Sequence, residues 1–139
     1  MRIGHIENGI VLDHITAGNG MNIYNVLNLG KLDCTVALIK NADSPKMGKK
    51  DIIKISTHMD IDLDILGYLD PGITVCIIRD GEVAERRTLA LPARVVGVIK
   101  CKNPRCITSV EQEIVHEFKL TDRNKKTYRC IYCEHEAKK

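Results

Sequence analysis

The feature that most constrains this chain is the placing of four of its six cysteines near the C-terminus. Cys101-Lys-Asn-Pro-Arg-Cys106 and Cys130-Ile-Tyr-Cys133 are a C-x4-C and a C-x2-C pair separated by 23 residues. Two tight knuckles at that spacing converge four thiolates on one tetrahedral ion, so the segment must fold in a way that brings them together. Zinc is the ion expected. Fe–S clusters also take four thiolates, but nothing else in the sequence suggests redox work. A pair of disulfides would need an oxidising compartment, and a thioredoxin-like use of Cys130 and Cys133 lacks its strand-to-helix context. Four ligands leave no position for water or substrate, so the site is structural. His135, two residues past Cys133, finds no vacancy there. A segment of about 45 residues is too short for a good apolar core, and metal binding should supply most of its folding energy.

The metal also accounts for a charge asymmetry. Residues 1–92 carry 10 basic and 12 acidic groups, and residues 93–139 carry 11 and 6. Four thiolates with one dication subtract two charges from the basic part, so much of its excess is compensation. With no Trp and one Phe, packing must rest on Ile, Leu and Val. No apolar run approaches the roughly 20 residues that span a bilayer, and charged residues interrupt the first fifteen where a signal peptide would be apolar. A cytoplasmic protein with no membrane partner is expected.

The first part of the chain alternates short β-branched runs with helical patterns. Ile10–Ile15 reads as a strand, with residues 3–6 as a hairpin partner across the turn Glu7-Asn8-Gly9. Asn19 should cap a helix running to Leu29, closed by Gly30. Cys34–Ile39 reads as a buried strand, Asn41–Gly48 as a loop and Asp51–Thr57 as a strand. The acids of Asp60-Ile-Asp-Leu-Asp64 suit a first helical turn, with Ile61, Ile65, Leu66 and Leu69 as the buried stripe before Asp70-Pro71-Gly72. Ile73–Arg79 and Glu82–Arg87 form a hairpin around Asp80-Gly81. The order β-α-β-β-α-β with a trailing strand is the split βαβ, an α+β ferredoxin-like sandwich. Pro92 ends this unit. Strands at Val95–Ile99, Ile114–Leu120 and Thr127–Cys130 then make a small β zinc-ribbon, giving domains 1–92 and 93–139 with no long linker.

Lys50 and Lys54 share a strand face with Ile52 between them, about 13 Å apart at ~3.3 Å per residue. Lys46 and Lys49 precede them on the loop, and Arg86 or Arg87 joins if the strands are neighbours. Such a cluster suits a polyanion of triphosphate size, with Asp13 accepting from a ribose hydroxyl and His14 donating to phosphate. A merely solvated strand face has the same pattern. There is neither a G-x-G-x-x-G nor a Walker loop, and no paired catalytic carboxylates. Cys34 and Cys76 read as buried strand residues, and His5, His58 and His116 as ordinary histidines.

The succession Gly9-Ile-Val-Leu-Asp13-His14-Ile, Met47-Gly-Lys-Lys50-Asp51-Ile-Ile-Lys54-Ile, Leu91-Pro92 and the two cysteine pairs resembles the regulatory chain of aspartate carbamoyltransferase over essentially its whole length. The resemblance implies a non-catalytic chain that binds CTP, ATP and UTP in its N-terminal domain and holds the catalytic chain through its zinc domain. It further implies a regulatory homodimer within an assembly of two catalytic trimers and three regulatory dimers. By the same resemblance Asp13, His14, Lys50, Lys54 and Arg86 meet ribose and phosphates, and Ile6, Val11, Ile52, Ile78 and Val83 surround base and sugar. Asn103, Arg105 and Glu134 fall at the partner interface, Arg105 replacing an Asn of the family pattern. Cys76 and Gly81 stand where enterobacterial members carry Asn and Tyr near the base. The competing reading is a zinc-ribbon nucleic-acid-binding protein using Lys100, Lys102, Arg105, Arg123, Lys125, Lys126 and Arg129. It lacks interleaved stacking aromatics apart from Tyr128 and Tyr132, and no nucleic-acid partner is expected.

Overall fold

The structure, a computed structural model, describes residues 6–137 and divides into two compact units, Met1–Leu89 and Ala90–Lys139. In the first unit β1 (Gly9–Thr16), α1 (Gly20–Val26), β2 (Val36–Ser44), β3 (Gly48–Ile55), α2 (Leu63–Leu69), β4 (Thr74–Arg79) and β5 (Glu82–Thr88) follow in chain order. The five strands form one antiparallel sheet in the order β2-β3-β1-β4-β5. This is the expected split βαβ, with β5 added at the edge beside β4.

Strand alternation divides the sheet into two chemically different faces. Ile10 and Leu12 of β1, Ile53 and Ile55 of β3 and Val75 of β4 are buried with Ile23, Leu29 and Leu66, so both helices cover this one face. The alternate residues Val11, Asp13, Ile52, Lys54, Cys76 and Ile78 point to the other face. No helix among the described residues packs there.

Several boundaries differ from the sequence pattern, each for a local reason. The first helix stops at Val26 rather than Leu29, and Gly30 lies inside a 3-10 turn, Leu29–Lys31. Asn28 adopts the left-handed conformation expected of Gly30, with φ 55°. Asn19 makes no side-chain cap: its Oδ1 accepts from the Asn22 side chain, while its amide nitrogen donates to Asp70. Of the acids expected in the first turn of α2 only Asp64 lies there; Asp62 caps the helix, accepting from the Asp64 and Ile65 N–H groups, and Asp60 precedes it. β2 runs on through the expected loop to Ser44, carried by pairing with β3 and a bulge between Ile39 and Ala42. Cys34 lies before β2 and is only half-buried, correcting its reading as a buried strand residue. Ile6 lies outside any strand, and the rest of the expected hairpin partner lies outside the described residues.

In the second unit β6 (Arg94–Val96), β7 (Glu117–Asp122) and β8 (Thr127–Cys130) form an antiparallel sheet in that order. A one-turn helix α3 (Ile107–Val110) follows Cys106 where the sequence carries no helical period. Val95, Phe118 and Tyr128 are its buried apolar side chains, and the Tyr128 hydroxyl donates to the Pro92 carbonyl at 2.6 Å. The core is as small as the segment's length requires.

Candidate functional site

The two knuckles meet. The sulfurs of Cys101, Cys106, Cys130 and Cys133 all lie within 4.8 Å of one another, with Cys101 to Cys133 at 3.6 Å and Cys106 to Cys130 at 3.7 Å. All four thiols are free. A tetrahedron of sulfurs about 2.3 Å from a central ion has edges of roughly 3.8 Å, and a disulfide needs only about 2.05 Å. The spacing therefore fits one shared tetrahedral ion. β8 delivers Cys130 at its end, and the turn after it returns Cys133 to the same point.

Three of the thiols are shifted from their ordinary range. Burial, with the neighbouring thiols, raises Cys101 to about 12 and raises Cys130 as well. At Cys133 burial is outweighed by hydrogen bonds from the Asn103 side chain and the His135 backbone, which bring it down to about 7. Thus the Cys133 thiol ionises near neutrality, while Cys101 and Cys130 need a nearby positive charge to ionise. Asn103 works inside the knuckle: its side chain also accepts from the Arg105 N–H, and its carbonyl accepts from the Cys106 N–H. His116, read from sequence as an ordinary histidine, takes the Cys101 N–H on its Nδ1 at 3.0 Å. His135 contributes backbone only, accepting from the Cys130 N–H. Tyr128, whose ring the nucleic-acid reading needs at the surface, is 1% exposed.

The second constellation lies on the helix-free face of the first unit. Strand register sets Lys54, Val11, Cys76 and Arg86 side by side across β3, β1, β4 and β5. Next to this row the Lys50 ammonium pairs with Asp13 at 2.9 Å, both largely shielded from water. Partial burial pushes the Asp13 carboxyl upward. The Lys50 ammonium and the His14 N–H outweigh it, so Asp13 is held below the ordinary carboxylate range.

Asp13 and His14 sit in a β-bulge between Leu12 and Ile15, where His14 takes φ 59° and its ring Nδ1 meets the Thr74 hydroxyl at 3.2 Å. Two buried carboxylates hold the chain just beyond. Asp51, 0% exposed, accepts from the N–H groups of Gly18, Gly20 and Asn41. Asp70 accepts from the N–H and hydroxyl of Thr16. Ile52 and Ile78 share this face, Val83 lies beside Ile78 and is half-exposed, and Ile6 is half-buried before β1. Lys49, by contrast, pairs with Asp43 on an exposed edge, and Arg87 pairs with Glu85 across from Val75 on the helix-covered side. The contacts made by Thr74, Asp51, Asp70 and His116 were not legible in the sequence, because their partners lie 10 to 60 residues away.

Residues 1–90 match the family model described as the aspartate carbamoyltransferase regulatory chain, allosteric domain. Residues 93–139 match that of the same chain's metal binding domain. This chain belongs to the aspartate carbamoyltransferase regulatory chain family. It is 54% identical over 134 residues to the regulatory chain of Clostridium acetobutylicum, covering 96% of this chain and 92% of that one. It is 51% identical to the regulatory chain of Clostridium tetani, covering 96% and 94%, and 44% identical to that of Bifidobacterium longum, covering 99% of each. As a regulatory chain it is a non-catalytic subunit that associates with a catalytic chain, and its four clustered cysteines are those of a metal-binding domain. No helix among the described residues is long and apolar enough to cross a membrane.

Proposed function

We propose that this regulatory chain senses CTP and ATP, and UTP with them, on the helix-free sheet face, and transmits their binding to the catalytic chain through a zinc-held C-terminal unit. The observation that carries the reading is the grouping of Lys50, Lys54 and Arg86 around the Asp13–His14 bulge on one face. Three strand spacings separate Lys54 from Arg86, roughly 14 Å, which is the reach of a nucleoside triphosphate. Lys50, Lys54 and Arg86 then serve the phosphates, Asp13 and His14 the ribose and phosphate, and Ile6, Val11, Ile52, Ile78 and Val83 the base and sugar. Cys76 lies between Val11 and Arg86, a thiol in the row where the base would rest. A zinc ion held by Cys101, Cys106, Cys130 and Cys133 is structural, and Asn103, Arg105 and Glu134 present the knuckles to the catalytic chain.

The assembly that follows is two catalytic trimers joined by three regulatory dimers, acting in the cytoplasm on the first committed step of pyrimidine synthesis. Nucleotides bias two arrangements of the assembly, with a coupling of about 1–3 kcal/mol, several-fold to about a hundredfold in affinity. Calorimetric titration of the zinc-loaded chain with CTP, and with ATP in competition, tests the reading. One saturable site at which the two compete is expected. Absence of binding at millimolar CTP, in both the free chain and the assembled complex, would overturn it.

A further inference from the structure

We infer that Thr108 is a positioning residue of the metal centre, its hydroxyl setting how firmly the four cysteines hold their ion. The inference rests on the reading of those cysteines as a zinc site. Thr108 is 4% exposed and lies in α3, the single helical turn that starts directly after Cys106. Its Oγ1 donates to the Cys106 sulfur at 3.1 Å. Thr108 is the second residue of that turn, with no earlier helical turn to bond back to, and its hydroxyl is spent on a ligand sulfur two residues earlier.

The energetic reason is the charge of the site. Four thiolates around one dication leave a net charge of two minus in a largely water-excluded pocket, and donors to sulfur disperse it. Cys106 and Cys130 are the least exposed of the four, at 1% and 0%, so their donors must come from the protein. Cys130 receives the backbone N–H groups of Tyr132 and Cys133, which no side-chain replacement removes. Cys106 receives the Thr108 hydroxyl, which valine deletes at nearly constant shape. The hydroxyl also fixes the Cys106 side chain against α3, with its sulfur facing that of Cys130 at 3.7 Å.

The test uses the full zinc-loaded chain with Thr108→Val and Thr108→Ser. One readout is the rate of zinc transfer to a chromophoric chelator. The other is the sulfur-to-metal charge-transfer band after cobalt replaces zinc, which responds to hydrogen bonding at sulfur and not to packing alone. Outer-shell donors change metal affinity by about 10–100-fold. T108V should accordingly release zinc on the order of tenfold faster and shift the cobalt band to lower energy, while T108S keeps both near wild type. Wild-type release and an unshifted band in T108V would overturn the role. Should T108V fail to fold, T108A against T108S decides the point, and equal release from those two would overturn it. A wild-type chain that holds no zinc would overturn the zinc reading itself and this inference with it.

Discussion

Replacing Gly20 by alanine is the sharpest test of how the bulge carrying Asp13 and His14 is held. Gly20 opens α1 without a positive φ, so helix propensity alone favours Gly20→Ala by roughly 0.5–1 kcal/mol. The structure predicts the opposite sign. A Cβ there would meet Asp51 Oδ2 and the Leu38 Cδ1 atom at 2.8 Å each, and Asp51 Cβ at 3.0 Å. Asp51 cannot retreat freely, because it is wholly buried and accepts from the N–H groups of Gly18, Gly20 and Asn41 at 2.9 to 3.1 Å. Hydrogen bonds to a charged group contribute about 1.5–3 kcal/mol each, and overpacking costs about 1–3 kcal/mol. Weakening one such bond and straining the contact, less the propensity gain, leaves a destabilisation of roughly 2–4 kcal/mol. Hydrogen exchange read by mass spectrometry on peptides covering β1 and α1 should register this as faster opening of that segment. A G20A chain as protected as wild type, or more so, would refute the claim that Asp51 anchors the bulge through Gly20.

Other outcomes follow from the same geometry. Because the folded Asp13 carboxyl lies below its unfolded value of about 3.9, the Asp13–Lys50 pair contributes stability above that pH and loses it as pH falls through the folded value. The Asp13→Asn chain should therefore show a flatter acid limb below about pH 4 in urea titrations, and an acid limb unchanged from wild type would count against the pair. Lys54→Ala should weaken CTP binding by about tenfold, one charge-assisted contact, while analytical ultracentrifugation with the catalytic chain finds assembly intact. Cys130→Ala should lose the metal, by elemental analysis, together with catalytic-chain association, and keep CTP binding. Chelation of the wild-type chain should unfold the second unit and leave the sheet of the first protected from exchange, because all four cysteines belong to the second.

The sequence by itself determined which four cysteines cluster and which face each residue of β3 takes. Cysteine spacing is a local property: a knuckle forms within a few residues, and two knuckles on so short a segment have few ways to satisfy four sulfurs except together. Alternation along a single strand likewise puts Lys50, Ile52 and Lys54 on one face of β3, opposite Ile53 and Ile55. What only the tertiary structure decided are the features made by side chains reaching distant backbone. The β1 bulge that turns His14 to φ 59° exists with Asp51 and Asp70 holding the chain beyond it, from 31 to 54 residues away. Thr74 meets His14 only because β4 lies beside β1, and His116 meets Cys101 only because β7 follows β6 in the small sheet. The expected cap was lost in the same way, the Asn19 side chain being taken up by Asn22 and Asp70. Periodicity and spacing record which face a residue takes. They do not record which buried donor or acceptor remains unmatched until the chain closes, and here that matching settled the bulge, the helix caps and the surroundings of the sulfurs.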